Sequence, residues 1–460
     1  MWSKKYLLLA VVVVLSGYHV KAQQVFTLKQ AIDTAIANYG TIKAKASYTA
    51  ASREQVSQAR RDYLPNFNVA AQQDYGTVNG QNGPLYGFGG LSVASSGLPL
   101  DHQNWNASFG ALYLTNINWD FFAFGRAKEK VKTALAAATQ NDKDWQQEIF
   151  KHKIKVAATY LNLVAAQQLT RSYRENLQRA DTIRGVVVTR VKNGLIAGVD
   201  SSQANAEYSS ARIALTKAID FEQEQSNQLA QLMGVTPQTF IVDTSYMTRI
   251  PALPAQTFNP DNHPLLQWYK SRIALSDEQT KYAKTLYYPA FTLVGVLQTR
   301  GSGFGPGYAA DQSNYTHNYW DGVKPTRTNY LLGVGVTWNI TQPFRISRQV
   351  RAQQQISKGL QYEYELADQQ VRAQLSLSDT KIKNALDNYL EVPVQVKAAS
   401  DAYLQKSVLY KNGLTNLVDV TQALYALIRA ETDRDIAYSN VWQALLLKAA
   451  AIGDFSIFEN

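Results

Sequence analysis

Apolar and polar positions along this chain follow two rhythms, and the rhythm changes at recurring places. Apolar residues at alternating steps of four and three run through Val131, Leu135, Ala138, Trp145, Ile149 and Val156. They lie in a 59-residue stretch, Arg126 to Arg184, that holds neither Gly nor Pro. The spacing predicts a helix, and Ala, Gln, Lys and Glu fill it with good helix formers. Extended to the Lys-Asn-Gly-Leu near 193, it would be roughly 100 Å long at 1.5 Å per residue. A return helix is predicted from Val199 to Gly234. In the second half Leu424, Ile428, Tyr438, Trp442, Leu445, Ala449 and Ile452 repeat the four-three stripe of a coiled-coil seam. Its partner arm, from about Ile346 to Lys411, carries Gly359 and Pro393, and the proline is expected to kink or break it.

Between the helical stretches the period drops to two. Phe67, Val69 and Ala71 alternate with Asn68, Gln72 and Asp74. Trp105, Phe109, Tyr113, Ile117 and Trp119 alternate with Asn106, Ser108, Asn116 and Asn118. Pro289 to Thr299 and Asn329 to Ile340 repeat the theme, with Leu332, Val334, Val336 and Trp338 on one face. Four strands of about ten residues follow, the length that crosses an outer membrane when tilted. A soluble, half-buried antiparallel sheet has the same period, so alternation alone leaves both readings open. The two strand connections are long: residues 76–103 carry seven glycines, and 300–328 hold the run Gly-Ser-Gly-Phe-Gly-Pro-Gly. That run opens no helix, which argues against a phosphate-binding loop. Four strands cannot close a barrel, and open edges cannot face lipid. If the strands span a membrane, several copies must complete the barrel together.

The two rhythms recur because the chain says one sentence twice. Residues 192–203 read KNGLIAGVDSSQ and residues 411–422 read KNGLTNLVDVTQ, 219 positions later. At the same offset Trp119 matches Trp338, Arg126 matches Arg345 and Gly234 matches Gly453, while Tyr63-Leu64-Pro65 matches Tyr287-Tyr288-Pro289 at 224. The expected organisation is a leader over 1–22, a first repeat over 23–234, a linker over 235–261, a second repeat over 262–455 and a tail over 456–460.

Composition narrows the setting. Lys4 and Lys5, an apolar run to Leu15 and small residues before Gln23 read as a secretory signal peptide. The net charge is +10, with three of the lysines in the leader, and no basic run interleaves with aromatics, so nucleic acid is not an expected partner. The chain has no cysteine, which removes disulfides and thiolate metal sites. After the leader the histidines are His102, His152, His263 and His317, scattered without metal-ligand spacing. No catalytic constellation is found, and no enzyme, cofactor or metal is expected.

Each Lys-Asn-Gly-Leu tip has the grammar of a helical hairpin. Gly194 and Gly413 suit the left-handed position that ends a helix. Asp200 and Asp419 fit as N-caps of the return helices, a role sufficient to explain both. The alternative is a ring of carboxylates where symmetry gathers the same residue around an axis, which biases passage toward cations.

The leader, LKQAIDTAIAN at 28–38, the Tyr-Leu-Pro before a strand, the duplicated hairpins and the NGL-x-x-x-VD tips together resemble the TolC family of outer-membrane efflux proteins. The resemblance implies a mainly α chain with a transmembrane β-barrel. Long coiled-coil hairpins would form an α-barrel, and four strands per chain a homotrimeric twelve-stranded barrel. It implies a Gram-negative outer-membrane location with a large periplasmic portion, contact with outer-membrane lipid, and partnership with a periplasmic adaptor and an inner-membrane pump of RND or ABC type. The implied function is the exit duct of a tripartite efflux or type I secretion system. A structural envelope scaffold and a passive diffusion porin are the alternatives. By the same resemblance, Asp419, Gln422, Thr415, Asp200 and Tyr410 would form the periplasmic aperture. Thr415 stands where a basic partner is expected and Gln422 where a second acid is. Gly194, Leu195, Gly413 and Leu414 would dock the adaptor, although Leu195 and Leu414 could equally pack within their own hairpins.

Overall fold

The structure, a computed structural model, describes residues 25–80, 97–250 and 258–458. The proposed leader therefore lies outside the described residues, as do parts of the first strand connection and of the linker. The elements, in order, are α1 (Leu28–Asn38), α2 (Gly40–Arg61), β1 (Asn66–Thr77), β2 (Ala107–Phe122), α3 (Arg126–Lys192) and α4 (Gly198–Met233). They continue with α5 (Pro264–Thr285), β3 (Ala290–Ser302), α6 (Tyr319–Val323), β4 (Arg327–Thr337), α7 (Gln342–Lys411) and α8 (Leu417–Ile452). The element bounds carry the internal repeat: α5 is α2 displaced by 224, and α8 is α4 displaced by 219. The chain forms two compact units, and each takes segments from both repeats.

The first unit comprises Met1–Ala50, Thr139–Ile273 and Gly359–Asn460. Its main core gathers Leu28, Ile32, Val156, Tyr160, Leu163, Leu229, Met233, Phe240 and Leu446. The helix α1 enters this core through a capping box, in which Thr27 and Gln30 satisfy each other's backbone N–H groups. Burying Leu28 and Ile32 then contributes about 1.5–3 kcal/mol each. Tyr160 is fully buried, and its hydroxyl donates to the Phe26 carbonyl (2.7 Å) while accepting from the Asp243 N–H (3.0 Å). Along α4 the buried residues Ala204, Ala211, Ala218 and Gln225 recur every seven positions, a narrow seam that lets neighbouring helices approach closely. In α8 the predicted Leu424, Leu445, Ala449 and Ile452 are buried while Ile428, Tyr438 and Trp442 are half-buried, and Leu417, Val420, Leu427 and Val441 join the buried set.

Each return helix ends on a left-handed glycine, Gly234 (φ 65°) and Gly453 (φ 82°). Both glycines also meet the rest of the unit closely. A Cβ on Gly234 would lie 3.1 Å from the Asn38 Cβ, and one on Gly453 would lie 2.8–2.9 Å from His263 and Pro264. The repeat thus seals each helical hairpin against the junction that precedes α2 or α5. His263 is buried there, its Nε2 3.3 Å from the Ala450 carbonyl, and burial pushes its pKa down.

Two helical expectations change. α7 runs unbroken from Gln342 to Lys411 with Pro393 inside it. A proline removes one backbone donor and crowds one carbonyl, and seventy residues of surrounding helix outweigh that loss. Leu135, placed on the apolar stripe of α3, is 53% exposed.

The second unit comprises Ala51–Ala138 and Ala274–Lys358. Its sheet is antiparallel throughout, in the order β1-β2-β3-β4. Residues opposite one another share a face, so the register assigns the alternating residues to two faces. One face carries Phe67, Val69, Ile117, Trp119, Leu293, Leu297, Tyr330, Leu332 and Val334. The other carries Asn66, Asn68, Gln72, Asn116, Asn118, Gln298 and Asn329, with Leu112, Leu114, Val294, Val296 and Leu331 among them. The apolar face is left open, with Val69, Leu297, Leu332 and Val334 each more than half exposed. β1 and β4 pair on one side each, leaving two free edges.

The helix-to-strand corners repeat as well. The Trp119 indole donates to the Tyr63 carbonyl (2.8 Å), and Trp338 donates to the Tyr287 carbonyl (3.1 Å). Phe122, Phe124, Tyr288 and Phe291 form a ring cluster beside them. Aromatics with one polar tip gather at strand ends where a barrel meets the edge of the hydrocarbon.

Candidate functional site: the paired hairpin tips

The two doubled sentences fold alike and meet. In the first tip the Gly194 N–H bonds the Val191 carbonyl and the Leu195 N–H bonds the Arg190 carbonyl, both at 2.9 Å. In the second, Gly413 bonds Tyr410 (3.0 Å) and Leu414 bonds Leu409 (2.9 Å). These are two Schellman motifs, with Gly194 (φ 69°) and Gly413 (φ 76°) in the left-handed position. Leu195 and Leu414 are not packed within their hairpins: they stand 65% and 72% exposed.

The aspartates do not cap. α4 begins after Ala197, which offers no side-chain cap, and α8 begins after Asn416, whose side chain accepts from the Asp419 N–H (2.9 Å). Asp200 and Asp419 sit three residues past each cap, in the first turn, where a carboxylate still favours the positive end of the helix. The connection after each leucine is shorter than the motif suggested, and this moves the cap forward by three positions.

Freed from capping, Asp419 is held otherwise. Its Oδ2 accepts from Thr415 Oγ1 (2.7 Å) and from Lys406 Nζ (2.9 Å). Thr415 and then Lys406 hold its carboxyl below the usual carboxylate range. Thr415, standing where a base was expected, is thus a ligand of the acid, and the base comes from the other arm of the same hairpin. Position 406 was missed because its counterpart in the first repeat is Val187, which is fully buried. The available signal was hairpin geometry: 406 and 419 are equidistant from the turn. Gln422 is exposed.

Tyr410 joins the two tips. Arg190 Nη1 donates to the Tyr410 carbonyl (2.6 Å), and its guanidinium carbon lies 5.3 Å from the phenol ring centre. Tyr410 is buried in one apolar cluster with Val187, Ala204, Leu417 and Val420. The Tyr410 hydroxyl is buried without a hydrogen-bond partner. Burial, with the charge of Asp200 added, pushes its pKa up, and Arg190 opposes the shift. Arg190 is the second residue that sequence reasoning missed. Further from the turn, Tyr425 donates to Glu207 and Arg179 pairs with Glu431, tying α4 and α3 to α8. At the ends of the two hairpins Arg190 thus meets Tyr410, and Lys406 meets Asp419 beside Thr415, so two cations are built in. Among the described residues no group of His, Asp and Glu could hold a metal ion, and no helix is long and apolar enough to cross a membrane.

Comparison with known proteins agrees with this architecture. Residues 31–235 match the family model described as outer membrane efflux protein. No curated protein sequence matches the chain. Among solved structures, the outer membrane protein VceC of Vibrio cholerae superposes with TM-score 0.72 at 18% identity, over 93% of this chain and 96% of that one. The CmeC outer membrane channel of Campylobacter jejuni gives 0.72 at 14% over 93% and 85%. The open state of the MtrE outer membrane channel of Neisseria gonorrhoeae gives 0.70 at 15% over 93% and 89%. The fold is thus TolC-like, and the first repeat is similar to outer membrane efflux proteins. The family match falls on the first repeat, and the repeated element bounds carry the same architecture through the second.

Proposed function

We propose that the protein is the outer-membrane exit duct of a tripartite efflux or type I secretion system, working as a homotrimer. The observation that carries this is the sheet: one apolar face open to its surroundings, one polar face, and two unpaired edges. Lipid leaves no backbone group without a partner, so β4 of one copy pairs with β1 of the next. Three copies give a twelve-stranded barrel with the asparagine-rich face as its lumen. The chain then lies in the outer membrane of a Gram-negative cell, with its helical hairpins in the periplasm.

The tips form the periplasmic aperture. Asp419, Thr415, Gln422, Asp200 and Tyr410 surround it; the Arg190–Tyr410 contact joins the two hairpins of one copy, and the Lys406–Asp419 contact ties the two arms of the second. Gly194, Leu195, Gly413 and Leu414 dock a periplasmic adaptor, through which an inner-membrane pump of RND or ABC type delivers substrate. The exposure of Leu195 and Leu414, two apolar side chains at the turn of a periplasmic hairpin, supports this role.

Planar-bilayer recording of the purified protein tests the duct. Discrete conductance steps are expected, and their absence from protein extracted intact from the outer membrane would refute a through-channel.

A further inference from the structure

The short helix α6 lies on the apolar face of the sheet. Its Tyr319 ring meets Phe109 edge-on, with centroids 5.2 Å apart, and the Tyr319 hydroxyl donates to Gln73 Oε1 (2.7 Å). The Tyr113 hydroxyl in turn donates to the Val323 carbonyl (3.2 Å). Gln73, Phe109 and Tyr113 belong by register to the face of Val69, Ile117 and Trp119. Glycines let the helix approach. A Cβ on Gly322 would lie 2.5 Å from the Phe109 Cβ, and one on Gly301 would lie 2.7 Å from the Gly322 and Lys324 carbonyl oxygens. Val323 is buried at this seat.

Trp320 stays outside the seat, 74% exposed, with its ring 5.2 Å from that of Tyr319. Two observations say what it faces. The strands hold four charged residues, Asp74, Asp120, Arg300 and Arg327, and the register puts all four on the polar face. The face that α6 covers is therefore free of strand charge, as contact with hydrocarbon requires. The second observation is a length. Trp119, in the corner beside the helices, and Phe109, under α6, lie ten residues apart on β2. At about 3.4 Å per residue and a tilt of about 40°, that stretch rises about 26 Å. The apolar band of a membrane barrel is about 25 Å tall.

We propose that α6 is an outer-leaflet anchor, which seats the Trp320 indole among lipid headgroups one hydrocarbon thickness from the Trp119 corner. This deepens the duct reading and rests on it. α6 lies in the long β3–β4 connection, at the sheet end away from helices α2, α3, α5 and α7. Indole rings settle at the membrane–water interface, because the ring is apolar and its N–H seeks a polar partner. Tyr75, exposed beside Phe109 with ring centroids 4.7 Å apart, extends the same aromatic band. The partner of α6 is thus the lipid surface of the outer leaflet, and the anchor fixes the depth at which the barrel sits.

Because the chain has no cysteine, a single introduced thiol carries a nitroxide that reports depth. Trp320→Cys, Leu297→Cys and Val199→Cys are labelled separately in the full chain, reconstituted in phosphatidylcholine vesicles. The seat of α6, built by Tyr319, Gly322 and Val323, is untouched by the first substitution. Collision with oxygen, which collects in hydrocarbon, is compared with collision with nickel–EDDA, which stays in water. Position 297 lies on the open apolar face and 199 at the first hairpin tip, so they mark hydrocarbon and water. The label at 320 loses most of the nickel collisions seen at 199 and takes fewer oxygen collisions than at 297. A label at 320 as open to nickel as at 199, with 297 in hydrocarbon, overturns the anchor and leaves the duct standing. One shielded from both reagents means that protein covers Trp320, which also overturns it. A label at 297 as wet as at 199 overturns the lipid-facing sheet and the anchor together.

Discussion

Asp419 is the residue at which the proposed aperture departs most from a simple ring of carboxylates. Its charge is answered within its own hairpin by Lys406 and Thr415, so it would add little net negative charge to such a ring. Removing one member of the pair exposes the other. Asp419→Ala leaves Lys406 unanswered and shifts permeability toward anions, whereas Lys406→Ala unmasks the carboxylate, raises the K⁺/Cl⁻ ratio and strengthens block by multivalent cations. Reversal potentials check both; a common direction of shift would contradict the pairing. The pH dependence follows from the lowered carboxyl pKa. A depressed carboxyl stays ionised through the ordinary carboxylate range, so the pair persists from neutral pH down through that range. It is lost only on acidification beyond it, and only there does the wild type converge on Asp419→Ala. The neutral pair was illegible in the sequence because the motif placed both aspartates at caps. Asn416 and Ala197 hold the cap positions, and nothing in Lys-Asn-Gly-Leu marks Lys406 as a partner.

At the scale of elements, the glycines and the apolar rhythms were legible because each answers to local physics. A positive φ requires Gly194, Gly234, Gly413 and Gly453 wherever tertiary contacts fall, and period two or three-and-a-half survives any packing. Burial against a distant segment leaves no such trace. Gly453 closes against His263 and Pro264, while nothing lies within 4 Å of the Cβ that Gly194 lacks. Both substitutions to alanine incur the left-handed penalty of about 1–2 kcal/mol. Gly453→Ala adds displacement of His263, bringing its total to about 3 kcal/mol or more. Thermal unfolding followed by circular dichroism should therefore rank Gly453→Ala well below Gly194→Ala, and equal midpoints would deny that the glycine seals the hairpin. Pro393 shows the opposite case. The local rule allowed a kink or a break, and the long helix on either side prevents the break.

At the scale of the whole molecule, the duplication explains why one chain offers two hairpin tips, two aromatic corners and four strands. Trp119 and Trp338 make the same bond to the same tyrosine carbonyl in each repeat, so a single corner design is used twice. Alternation alone could not distinguish a lipid-facing sheet from a soluble one, because both have period two. The open apolar face and the free edges of β1 and β4 support the proposed lipid-facing sheet. Those edges make the single chain incomplete, and the account stands or falls on how it is completed. Native mass spectrometry of the protein extracted from outer membranes measures that directly. A species of three chains is the expected result, and a folded single chain as the principal membrane form would contradict the account.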